Sequence, residues 1–199
     1  GIMGRYYAQH SGEREEVAQA ILEHYQPRFA GDEVPASLVG ALVSIADKID
    51  TIVGCFAIGI EPTGSQDPYA LRRQAIGICL TLLKHGLKMR LDDIIMTALQ
   101  NYQGIVKQEA LGEKTKAKIM EFFQVRLKNI LSDEGHSYDV VDAVLAVDYG
   151  MPVAVLARAR ALSATKEDQD FQELLTSFTR AYNLAKKAEG AVIKPEYLA

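Results

Sequence analysis

Apolar residues recur at helical spacing along almost the whole chain, and this pattern constrains the fold more than any other feature. Between residues 13 and 25, apolar side chains fall on one stripe at intervals of three and four, which is the period of an amphipathic helix. The segments between glycine and proline breakers have helical length, and no Asn-Gly or Asp-Gly hairpin signal occurs. The sequence therefore predicts an all-α fold without solenoid repeats.

Capping residues and breakers predict where the helices begin and end. Ser37 is a suitable N-cap for a helix that ends near Gly59, and Asp67-Pro68 is typical of the start of a helix from Tyr69 to about Lys84. Further helices are predicted at 13–25, 91–102, 115–133, 138–147, 153–162 and 168–187. The polar, glycine-containing stretch 103–116 predicts a boundary between two helical domains, residues 1–105 and 106–199.

Composition excludes several classes of protein. The chain has 22 Lys and Arg against 26 Asp and Glu, a formal charge of −4, so any contact with RNA requires a local basic cluster. The longest apolar run, 37–60, is interrupted by three charged residues, which excludes a membrane span there. Cys55 and Cys79 lie in apolar helical patterns and are predicted to be buried thiols in a reducing cytosol.

Common catalytic motifs are missing from the sequence. It contains no Gly-Lys-Ser/Thr, Gly-x-Gly-x-x-Gly, His-Glu-x-x-His or Gly-x-Ser-x-Gly pattern. The sequence therefore gives no support for ATP hydrolysis by a P-loop, a Rossmann cofactor site, zincin proteolysis or α/β-hydrolase chemistry.

The most apolar predicted helix carries three charges, at Asp47, Lys48 and Asp50. Asp47 and Asp50 are three residues apart and share a helix face, so their oxygens could hold a divalent cation, with His10 and His24 as distant nitrogen donors. Alternatively, Lys48 and nearby arginines neutralise both carboxylates in a buried network. We favour the network, because nothing in the sequence fixes the position of the histidines.

Two adjacent arginines, Arg72 and Arg73, follow the predicted N-cap. Guanidinium groups bind phosphate in bidentate fashion, and the backbone N–H groups of the neighbouring loop 63–65 could add to an anion site. In the alternative interpretation, one arginine pairs with Asp47 or Asp50 and the other is solvated. The sequence leaves both interpretations open.

Five stretches, taken in order, resemble one known family, the β subunit of bacterial tetrameric (α2β2) glycyl-tRNA synthetases. They are 1–8 (GIMGRYYA), 25–32 (YQPRFAGD), 45–51 (IADKIDT), 59–65 (GIEPTGS) and 67–73 (DPYALRR). The resemblance extends more weakly to 142–146 (DAVLA). It implies that 1–105 is an HD-like helical domain, truncated at its N-terminus, and that 106–199 is a helical connector preceding an absent anticodon-binding domain. The first residue is Gly, as expected for a segment of a longer protein.

The resemblance also implies a function. In this family the α subunit activates glycine with ATP and Mg2+ and transfers it to tRNA(Gly), whereas the β subunit contributes tRNA binding and assembly. We therefore expect a cytoplasmic segment that has no catalytic residue, binds no cofactor itself and has no membrane partner. It is expected to act within a heterotetramer of two α and two β chains. Lys48, Arg72 and Arg73 are the expected tRNA contacts, on charge and position alone.

Two rival interpretations remain at this stage. Residues 46–50 (ADKID) resemble the last aspartate motif of HD phosphohydrolases, which favours a metal-dependent enzyme acting on a nucleotide through Asp47 and Asp50. Those enzymes also need an adjacent His-Asp pair, and none of the four histidines here is followed by Asp. The third interpretation is a structural spacer. Metal content and phosphoester cleavage would separate the hydrolase from the other two.

Overall fold

The structure, a computed structural model, describes residues 1–187. These residues form α-helices joined by loops and one 3-10 helix, with no β-strand among them, so the all-α prediction is confirmed. The HD-like label stays a prediction. The helices are α1 (Ile2–His10), α2 (Glu15–Glu23), α3 (Leu38–Ala57), α4 (Leu71–Lys84), α5 (Leu91–Gln100), α6 (Glu113–Asp133), α7 (Tyr138–Leu145), α8 (Pro152–Thr165) and α9 (Gln169–Lys187), with the 3-10 helix at Gln108–Leu111.

Helix α3 lies at the centre of the packing, as its apolar circumference predicts. It contacts α2, α4, α5 and α6. Its residues Ile52 and Val53 are fully buried, and Phe56 meets Phe122 of α6 edge to face at 5.2 Å between ring centroids. The two acidic residues of α3, Asp47 and Asp50, are exposed, so α3 contributes to a surface as well as to the core.

A buried carboxylate joins the end of α2 to the start of α3. Ser37 is the N-cap of α3, as predicted, and its Oγ accepts a hydrogen bond from the Gly40 N–H at 3.0 Å. The same hydroxyl donates to Glu23 Oε2 at 2.6 Å. Burial raises the pKa of Glu23, but hydrogen bonds from Gln19 and Ser37 outweigh it and hold the pKa below its ordinary value. This junction fixes both ends of the loop 24–36.

Helix α4 begins later than predicted, at Leu71 instead of Tyr69. The preceding residue, Ala70, has a φ of +54°, so the backbone leaves helical geometry there. Asp67 still caps the helix, because its carboxylate accepts hydrogen bonds from the N–H groups of Leu71 at 2.8 Å and Arg72 at 3.0 Å. The capping role of the Asp67 side chain is as predicted, but Ala70 occupies the N-cap position and Pro68 lies in the loop before the helix.

Helix α6 packs against α3, α4 and α5. Its Phe123 is fully buried, so contacts extend across residue 105, where the sequence predicts a domain boundary. By contacts, one compact unit comprises Gly1–Ala159 and a second begins at Arg160. Whether residues 1–105 fold as a domain of their own stays a prediction.

In the second unit, α9 matches the helix predicted at 168–187. It has apolar residues at helical spacing, and Leu174, Leu175 and Phe178 are exposed. Residues 188–199 of the predicted second domain lie outside the described part of the chain. Within residues 1–187, no helix combines the length and apolar character needed to cross a bilayer.

Candidate nucleic-acid interface

An open cleft of about 900 Å3 lies between α3 and α4, closed on one side by the start of α1 and by the loop after α2. We call it the α3–α4 cleft. Three of its lining residues are basic and one is acidic. The polar and aromatic residues that matter below are Tyr25, Arg28, Asp47, Lys48, Tyr69 and Arg73.

Lys48 lies at the base of this cleft and is only 4% exposed. Its Nζ donates to the backbone oxygen of His24 and to Ser44 Oγ, both at 2.7 Å. Burial lowers the pKa of Lys48 to about 8, and the negative charge of Asp47 opposes that shift. An ammonium has three N–H donors, so these two bonds leave one for a group that enters the cleft.

The adjacent arginines Arg72 and Arg73 do not reach the same place. Arg73 is exposed and lines the α3–α4 cleft, whereas Arg72 is half-buried and does not line it. Arg72 lies on the side of α4 that faces α6, where its charge contributes to a lowered pKa of Arg126 after the larger effect of burial. Neighbouring residues on a helix point about 100° apart. Arg72 and Arg73 are therefore not placed to bind the same phosphate.

The two carboxylates of α3 also separate. Asp47 lines the α3–α4 cleft, and Asp50 lines a smaller cleft of about 320 Å3 between α3 and α5. Both are exposed, so the favoured interpretation of a buried ion network is wrong. Lys48 instead donates to the His24 carbonyl and the Ser44 hydroxyl. Across residues 1–187, no ion pair within 4 Å joins Asp47 or Asp50 to Arg72 or Arg73.

The candidate metal ligands are not gathered into a cluster. Within the described residues, no group of three or more His, Cys, Asp and Glu side chains is arranged to hold a metal ion. Of the two thiols predicted to be buried, Cys79 is fully buried and burial raises its pKa to about 12, whereas Cys55 is half-buried.

Sequence reasoning did not single out Arg28 as a cleft residue. Its Nε donates to Asp32 Oδ2 at 2.9 Å and its backbone N–H to the same oxygen at 2.7 Å. The hydrogen bonds from Arg28 lower the pKa of Asp32 to about 2. Arg28 therefore lines the cleft as a guanidinium already paired with a carboxylate. The one feature of the sequence that pointed to Arg28 is that it lies within 25–32, one of the stretches that resemble the known family.

Two tyrosines at the cleft were missed as well. Tyr25 is 56% exposed and Tyr69 is 52% exposed. The ring of Tyr25 lies 4.1 Å from the ring of His24, and the backbone oxygen of Tyr69 accepts a hydrogen bond from Gln74 Nε2 at 2.9 Å. Both residues line the cleft and are each more than half exposed.

Comparison with known proteins gives one consistent family. The sequence profile described as glycyl-tRNA synthetase beta subunit matches residues 1–146. A glycine–tRNA ligase beta subunit from Desulforamulus reducens is 50% identical over 199 residues, all of this chain and 28% of the relative. Proteins of the same description from Moorella thermoacetica and Shouchella clausii are 47% and 46% identical over 200 and 201 aligned residues, again covering all of this chain and 29% of each relative. The chain thus spans less than a third of the length of these curated relatives.

Proposed function

This chain belongs to the glycyl-tRNA synthetase beta subunit family, and on that premise we propose that it serves the ATP-dependent charging of tRNA(Gly). Its part is to bind the tRNA and to assemble with the catalytic α subunit. The aminoacylation chemistry, with its ATP and Mg2+, belongs to the α subunit, within a cytoplasmic tetramer of two α and two β chains. The family's description supports the ligase and its α partner.

The observation that carries the tRNA-binding role is the position of Arg73. It is an exposed guanidinium in the wall of the α3–α4 cleft, and within residues 1–187 no acidic group lies within ion-pair distance of it. A guanidinium without a carboxylate partner is available for phosphate. Lys48 adds positive charge at the base of the same cleft. We propose Arg72 as a second tRNA contact, separate from the cleft, on the side of α4 that faces α6.

The phosphohydrolase alternative gains no support. It needs Asp47 and Asp50 to act on one metal, and the two residues line different clefts. The names of the relatives also describe a ligase subunit.

The proposal is tested by changing Arg73→Ala in the full-length β subunit and measuring tRNA(Gly) binding across a salt series. Loss of one phosphate contact should weaken binding several-fold and reduce the slope of log K against log salt by about one. The matched control is Arg14→Ala, which removes an exposed arginine outside the cleft. Binding and slope that are equal in the two variants would remove Arg73 from the tRNA interface.

A further inference from the structure

The burial of Lys48 limits what can reach the α3–α4 cleft. The phosphates of duplex RNA lie on the outside of a stiff helix, where surface arginines and lysines contact them. Lys48 lines the cleft but is only 4% exposed. A ligand that accepts a hydrogen bond from the remaining N–H of Lys48 must therefore project a group inward, between α3 and α4.

The walls of the cleft combine the groups that a single nucleotide needs. Tyr25 and Tyr69 line the cleft and are each more than half exposed, and an unpaired base stacks on aromatic rings regardless of its identity. Arg73 and Lys48 supply positive charge for a phosphate, while Asp47 supplies the one carboxylate of the lining, an acceptor for ribose hydroxyls or base amino groups. The volume of about 900 Å3 lies within the range of small-ligand sites.

We propose that the α3–α4 cleft binds one unpaired nucleotide, with its base against Tyr25 and Tyr69 and its phosphate held by Arg73 and Lys48. This inference rests on the proposed function, because it specifies which kind of RNA element that surface accepts: an extruded or single-stranded nucleotide, not a paired one. A free mononucleotide presents the same chemistry, and the experiment distinguishes the two sources.

The test uses the full-length β subunit with the double change Tyr25→Leu and Tyr69→Leu. The probes are a fluorescein-labelled single-stranded RNA tetranucleotide and a short RNA duplex, followed by fluorescence anisotropy. Loss of base stacking should weaken tetranucleotide binding about tenfold or more and leave duplex binding unchanged. The double change to Phe keeps both rings and should keep the binding. Tyr138→Leu is the matched control, because Tyr138 is an exposed tyrosine outside the cleft.

Competition by nucleoside 5′-monophosphates identifies the source of the nucleotide. If they displace the tetranucleotide from the unaltered protein, a free nucleotide is sufficient; if they do not while the Leu variant still loses binding, the nucleotide must belong to an RNA strand. The inference is overturned if the Leu variant binds the tetranucleotide normally, or if it loses single-stranded and duplex RNA equally. An Arg73→Ala variant that loses tRNA binding beside a Leu variant that binds normally would refute the nucleotide site and leave the proposed function standing.

Discussion

At the scale of single residues, Lys48 shows how a fold can hold a buried amine without a carboxylate in contact. Its amine is held by the His24 carbonyl and the Ser44 hydroxyl, and the pKa falls from its ordinary 10.5 to about 8 because burial disfavours the charged form. At neutral pH the side chain is still mostly protonated. The cleft therefore keeps a positive charge at its base under physiological conditions.

This pKa predicts a pH dependence of folding stability. Between about pH 8 and pH 10.5, the unfolded chain binds more protons at Lys48 than the folded chain does, so this residue's contribution to stability rises with pH in that window. Relative to the Lys48→Met variant, the free energy of unfolding of the unaltered chain should rise by up to about 1.4 kcal/mol per pH unit in this window. Urea unfolding of both proteins at several pH values measures the difference. A difference that stays constant through the window would contradict the pKa.

The sequence favoured a buried network of Lys48 and arginines with Asp47 and Asp50, but Lys48 instead donates to a backbone carbonyl and a hydroxyl. His24, the backbone partner of Lys48, is 24 residues away in the chain. Arg72 and Arg73 show the opposite case: they are adjacent in sequence, but only Arg73 lines the α3–α4 cleft. Long-range partners depend on packing, which local residue patterns do not encode.

At the scale of secondary-structure elements, amphipathic pattern and capping residues predicted most helices to within a few residues. Helix α1 was missed, because its apolar residues are mixed with Gly4, Arg5 and polar side chains and form no clear stripe. The start of α4 was placed too early, since the positive φ of Ala70 has no signal in its residue type. Local spacing does not predict that a short loop separates the capping residue Asp67 from the first helical residue.

Asp67 should contribute to the stability of α4. Asp67→Ala removes both acceptors of the Leu71 and Arg72 N–H groups and should lower the free energy of unfolding by about 1–2 kcal/mol. Asp67→Asn keeps one oxygen acceptor and should cost less. Thermal unfolding ranks the variants, with Ser65→Ala, an exposed loop position, as the control. If Ala and Asn at position 67 were as stable as the control, the capping role would be wrong.

At the scale of the whole molecule, periodicity predicted the all-α class but not how the helices pair. An apolar stripe specifies that a helix packs, and several partners satisfy it equally well. The observed arrangement places α6 against α3, α4 and α5. The polar stretch 103–116 that predicted a boundary is thus followed by a helix that completes the core of the residues before it.

Phe123 tests whether residues on the two sides of position 105 fold together. Its ring is fully buried, so Phe123→Ala should lower the free energy of unfolding by about 3–5 kcal/mol. If the helices of Gly1–Ala159 form one cooperative unit, native-state amide hydrogen exchange should show the slowest amides of α3 and α6 losing protection by the same amount. Val125→Ala is the control, because Val125 lies on the same helix but is 48% exposed. Loss of protection in α6 alone, with α3 unchanged, would instead support residues 1–105 as a domain that folds independently.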